Sequence, residues 1–154
     1  MAERRQTSAD AVPTRIGQAV MLLHGGDREE ARNRFGELWA EIGEAGDAFH
    51  RCTLAHYLAD TQDDPGDELA WDLRALTAVE GPDGGTGEHS PAVRAFFPSL
   101  HLNLAADYLK LQRPEAARLH LDRARDAADA LGAAGYGNGI RTGIDRLERR
   151  LGEP

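Results

Sequence analysis

A chain of 154 residues with 41% hydrophobic and 29% charged side chains can build one domain with a buried core, in the balance of an ordinary globular protein. Its formal net charge of −8, from 26 acidic against 18 basic side chains, excludes the concentrated positive footprint that nucleic-acid binding requires. No stretch approaches the roughly 18 apolar residues of a membrane span, and the single Cys52 excludes an internal disulfide, so a cytoplasmic protein with no membrane partner is expected.

Residues 1–12 are polar and aperiodic and read as a flexible tail. The two arginines there precede no apolar run, so no secretory signal is expected. Pro13 suits the first turn of a helix. From Pro13 to His24, Ile16, Ala19, Val20 and Leu23 recur at i, i+3, i+4 and i+7, one helical stripe. Gly25 and Gly26 end it. Asp27 can N-cap the next helix, with Glu30 three residues on completing a capping box. That helix, Arg28 to Ile42, carries Ala31, Phe35, Leu38 and Ile42 on one face.

A third helix spans Ala48 to Thr61 with Leu54, Ala55 and Leu58 inward. QDDPGD reads as a turn, and Leu69, Leu73 and Leu76 mark a fourth helix with Trp71 beside the stripe. Residues 81–91, GPDGGTGEHSP, read as a flexible loop. A fifth helix is expected from Ala92 to Leu111, kinked or restarted at Pro98, and a sixth from Pro114 to Leu131, stopped by Gly132. After AAGYGNG, Ile140, Ile144, Leu147 and Leu151 make a last amphipathic helix. Strand patterning is absent. The expectation is all-α: a single helical domain over 13–154.

Charge is distributed unevenly. From Asp47 to Phe96 three arginines stand against ten acids, whereas from Phe97 onward nine basic face eight acidic residues. An acidic middle suits a basic partner.

The helices come in pairs, and the stretch NLAADYLKLQRPEAARLHLDRA, residues 103–124, defines the plan. Leu104, Ala105 and Tyr108 on one helix are followed by Ala117, Leu121 and Ala124 on the next. Small residues let two helices cross closely while large ones fill the flanking gaps. This pattern resembles the tetratricopeptide repeat, in a small actinobacterial-type form. The family's tryptophan position falls on His101 and its turn glycine on Gln112, both departures. Ala31, Phe35 and Leu38, with Gly26 as turn glycine, match in the first pair. Leu54, Ala55 and Leu58 with Leu69, Leu73 and Leu76 match in the second, given a two-residue insertion. The interval from Phe35 to Leu73 is 38 residues and from Leu73 to Leu121 is 48, against about 34 in the family; the 81–91 loop accounts for much of the excess. The resemblance covers residues 13–132. It implies antiparallel helix–turn–helix pairs stacked as a short right-handed solenoid, with the last helix as a cap whose Asp145, Arg149 and Arg150 side faces water.

No catalytic residues are expected. Cys52, His56 and Asp60 could offer three metal ligands from one helix face, but HExxH and paired CxxC are absent, and consecutive turns of one helix seldom converge on an ion. Asp63, Asp64 and Asp67 lack the spacing of a calcium loop. Cys52, mid-helix, lacks an activating partner. GGTG at 84–87 lacks the lysine of a phosphate loop. Neither metal nor cofactor is expected.

The resemblance implies a groove lined by the first helix of each pair. Carried over by position, its residues are Met21 and His24 in the first pair, Phe49, Cys52, His56, Ala59 and Asp60 in the second, and Ser99, Leu102, Ala106, Leu109 and Lys110 in the third. Lys110 is the single basic residue clearly carried over, too few to clamp an acidic C-terminal tail. Phe49, Leu102 and Leu109 beside Asp60 suit an apolar, basic protein or peptide segment. The expected role is a non-enzymatic adaptor. The alternatives are a ligand- or peptide-sensing regulatory module, or an enzyme of unknown class. A weak two-fold homodimer through Leu102 and Leu109 is expected in the absence of a partner.

Overall fold

A computed structural model describes residues 2–80, 91–131 and 137–152. They form seven helices, with no strand among them: α1 (Ala2–His24), α2 (Arg28–Ile42), α3 (Ala48–Asp60), α4 (Pro65–Glu80), α5 (Pro91–Lys110), α6 (Pro114–Leu131) and α7 (Gly137–Gly152). Each packs on its neighbours in the chain, most extensively α1 on α2, α3 on α4 and α5 on α6. Two next-but-one contacts, α1 with α3 and α5 with α7, bring alternate helices together. No helix among the described residues is long and apolar enough to cross a membrane. Apart from Pro91, with which α5 begins, the 81–91 loop lies outside the described residues, as does Gly132.

Three apolar clusters form the core. The first joins Val12, Ile16 and Ala19 of α1, Ala31, Phe35 and Leu38 of α2, and Leu54 and Leu58 of α3. The second joins Cys52 and Ala55 to Ala75, Leu76 and Val79 of α4 and Val93, Leu100 and Leu104 of α5. The third joins Ala105, Leu121, Ala124, Ile144 and Leu147. Ala105, Ala117 and Ala124 are wholly buried, as small residues at a close helix crossing must be. Burying a ring such as that of Phe35 contributes about 2–3 kcal/mol.

Several local expectations are corrected. Pro13, expected in a first helical turn, lies inside α1 one residue after the buried Val12. Asp27 occupies the N-cap of α2 but its carboxylate makes no capping bond, and Glu30 instead pairs with Arg34 at 3.0 Å. Within QDDPGD, Asp64 caps α4: its Oδ2 accepts from the Asp67 amide at 3.1 Å, and Pro65 supplies the first helical residue. α5 continues through Pro98, whose ring is fully buried. Leu73 is 37% exposed, so it is not on the inner face of α4; Asp72, Ala75, Leu76 and Val79 are. Trp71 explains the rotation. Its indole meets Trp39 of α2 edge-on at 5.3 Å and is covered outside by the Arg74 guanidinium at 4.3 Å. The larger ring takes the contact and turns Leu73 outward.

The turns closing the first and third pairs are the same. Gly26 N–H donates to Leu23 O and Asp27 N–H to Leu22 O, at 3.1 and 2.9 Å; Gln112 N–H donates to Leu109 O and Arg113 N–H to Tyr108 O, at 3.0 and 2.9 Å. Both are Schellman closures around a left-handed residue. Gly26 has φ 93° and Gln112 φ 59°. α3 ends differently, at Thr61, whose hydroxyl donates to Leu58 O at 2.7 Å.

Candidate functional site

The expected groove residues divide into three groups. On α3 and α5, Phe49 meets Phe96 edge-on at 5.9 Å, and His56 meets Phe96 at 5.5 Å and Tyr57 at 5.2 Å. The Asn103 amide bridges to His56 Nδ1 at 3.1 Å. Burial holds the His56 imidazole below the usual histidine range, so it is neutral and fit to accept that bond. These half-buried rings form one continuous aromatic strip, and Asp60 lies exposed at its end.

Leu102, Ala106 and Leu109 belong to a second group, half-buried against the third cluster of Ala105, Leu121, Ala124, Ile144 and Leu147. The fit at Leu102 is close: a methyl group built on Gly143 would lie 2.8 Å from its Cδ2. α7 therefore lies on Leu102, one of the two leucines expected to drive self-association. Met21, 73% exposed, and His24, also exposed, stand apart at the end of α1, and Ser99 is half-buried. Cys52 and Ala59 are fully buried, so neither lines an open groove, and burial, with Asp72 nearby, pushes the Cys52 thiol up to about 12, so it is protonated at neutral pH.

Sequence reasoning missed the polar groups inside the core. Asp72 and Asp107 are 3% and 1% exposed. The Asp72 carboxyl hydrogen-bonds Asp107, and burial holds both above the usual carboxylate range. Repulsion from Asp107, Asp60 and Glu68 raises Asp72 further, so it is the proton donor of the pair. Glu68, one turn before Asp72, completes a trio whose oxygens lie within 4.8 Å of one another. Lys110 donates to Glu68 Oε1 at 2.8 Å from the solvent side. A signal for the pair was present. Asp72 sits on the stripe Leu69, Leu76, Val79, and Asp107 on the stripe Leu100, Leu104, Leu111; each acid interrupts an apolar face.

A second missed pair is a buried pair of imidazoles between α5 and α6. His101 and His120, both 7% exposed, share a hydrogen bond between their Nδ1 atoms at 3.1 Å. Phe97 stacks on His101, and Tyr108 on His120. Burial, with His120 and Arg123 nearby, drives His101 down to about 4. Two surface depressions, at Arg113–Pro114–Glu115–Ala116 and at Arg125, Ala128, Arg141, Ile144 and Asp145, contain none of the expected groove residues.

No protein-family model, characterised protein or solved structure matches the chain.

Proposed function

We propose that this chain is a non-enzymatic helical-repeat module of tetratricopeptide type that binds a basic, partly apolar protein segment along α3 and α5. The carrying observation is the aromatic strip Phe49, His56 and Phe96, which ends at the exposed Asp60. Rings give an incoming chain apolar anchors at low entropic cost, and a terminal carboxylate fixes its charge and direction. The repeat reading draws support from the shared Schellman turns at Gly26 and Gln112, and from the contacts of α1 with α3 and of α5 with α7. Those are the contacts by which the first helices of successive pairs would line one face. An adaptor rather than an enzyme fits the interior carboxylates and imidazoles, which are closed off from a substrate.

Peptides selected from a random display library against the full chain test this reading. Selected sequences should combine Arg or Lys with Leu or Phe, and fluorescence anisotropy should show Phe49→Ala and Asp60→Lys each weakening them by about tenfold or more, the scale of one hot-spot side chain. Selection of acidic peptides, or affinities untouched by both variants, refutes it.

A further inference from the structure

Three carboxylates, from Glu68, Asp72 and Asp107, bring their oxygens within 4.8 Å of one another where α4 packs on α5. Two of the three side chains are almost wholly inside the protein, and Asp107 Oδ2 is buried with no hydrogen-bond partner among the described residues. A buried acceptor left unmatched is costly, so the site is incomplete as it stands. The charges within reach are Glu68, Asp72, Asp107 and the neighbouring Asp60, against the single ammonium of Lys110. When ionised, the trio with Lys110 carries two uncompensated negative charges.

We propose that Glu68, Asp72 and Asp107 form a binding site for one divalent, oxygen-preferring cation of the Mg²⁺, Mn²⁺ or Ca²⁺ type, which clamps α4 to α5. An all-carboxylate donor set with no imidazole or thiolate selects hard cations. Glu68 and Asp72 lie one helical turn apart, so α4 presents two donors on one face and α5 brings the third. Convergence from two helices is what a single helix face, such as Cys52, His56 and Asp60, lacks. The buried Asp107 Oδ2 gains a partner, and the proton shared by Asp72 and Asp107 leaves to solvent as the ion enters. Entry is past Glu68, whose side chain is 20% exposed and whose partner Lys110 is 51% exposed on a flexible stem. Three protein donors leave the remaining coordination positions to water, in the manner of Mg²⁺ and Mn²⁺ sites. The inference is independent of the peptide-binding reading; it joins the second helix pair to the third whatever the surface binds.

Mn²⁺ supplies the test, because binding abolishes the paramagnetic resonance signal of the free ion. The full chain, stripped with chelator, is titrated with Mn²⁺ at neutral pH. The expected result is one ion bound per chain, displaced by Mg²⁺ or Ca²⁺, with the stronger competitor naming the preferred metal. Asp107→Asn and Asp72→Asn, shown folded by circular dichroism, should each weaken binding by about tenfold or more, since affinity follows the count of charged ligands. If either interior variant fails to fold, Glu68→Gln at the partly exposed mouth must show the same loss. The exposed pair Asp63→Asn, Asp64→Asn should leave binding unchanged. Retention of the free-ion signal by the parent chain at every ratio overturns the proposal, as does undiminished binding by the folded trio variants. Loss of binding in the exposed pair alone overturns it too, by moving the ion to the acidic turn.

Discussion

Gln112 and Gly26 occupy equivalent left-handed turn positions, so exchanging their side chains should move stability in opposite directions. For an L-residue the left-handed region costs about 1–2 kcal/mol, because Cβ crowds the following carbonyl. Gln112 pays that cost at φ 59°. Gln112→Gly removes the strain but admits more freedom to the unfolded chain, an opposing contribution of about 0.5–1 kcal/mol. The net expectation is a stabilisation of about 0.5–1 kcal/mol, or roughly 1–3 °C in Tm for a chain of this size. Gly26→Ala runs the other way. A Cβ at Gly26 would meet no atom within 4 Å, so its net loss of about 0.5–1 kcal/mol is backbone strain at φ 93° less the entropy removed from the unfolded chain, with no steric clash. The two variants, alone and combined, are measured by urea and thermal melts followed by circular dichroism. The turns are far apart in the chain, so their effects should add. A destabilised Gln112→Gly, together with a neutral Gly26→Ala, refutes the assignment of one turn geometry to both pairs.

Ala117→Glu forces a long carboxylate into a wholly buried helix crossing and should cost several kcal/mol, read as a collapse of the melting temperature; a melt within about two degrees of the parent would refute the crossing. Leu102→Glu with Leu109→Glu should release α7, since both leucines pack in its cluster, and limited proteolysis should then cleave ahead of residue 137; an intact α7 contradicts that packing. Acid should destabilise the protein through His101. Its folded-state value near 4 lies below the ordinary 6.5, so its contribution is complete above 6.5 and is lost as pH falls towards 4. The loss approaches 1.4 kcal/mol per pH unit at most, about 3 kcal/mol across that window. Urea melts at pH 7 and 4.5 should show a smaller fall for His101→Phe than for the parent, and equal falls would remove His101 as the cause.

Helices were legible in the sequence because their hydrogen bonds are local and their buried faces recur with a period near 3.6 residues. Ile16, Ala19, Phe35, Leu38, Leu104, Ala105, Ala117, Leu121 and Ala124 announce their burial by spacing alone, and all are buried. Gly25 and Gly26 likewise end α1 where the sequence places the stop. The rotation of α4 was not legible, because Trp71 and Leu73 lie on opposite flanks of Asp72 and either flank could have turned inward. Which one wins depends on Trp39, a residue of another helix. Nor could spacing show that α7 lies on Leu102, since an apolar stripe looks the same whether a partner or the chain itself covers it. The carboxylate trio lay furthest from sight. Asp72 and Asp107 each read as an acid interrupting an apolar face, and 35 residues separate them. Only the packing of α4 on α5 brings their oxygens together, and only burial turns two ordinary acids into a proton-sharing pair with one oxygen unmatched. Local periodicity determined which segments are helical; side-chain volume and desolvation at the helix contacts decided which polar groups meet.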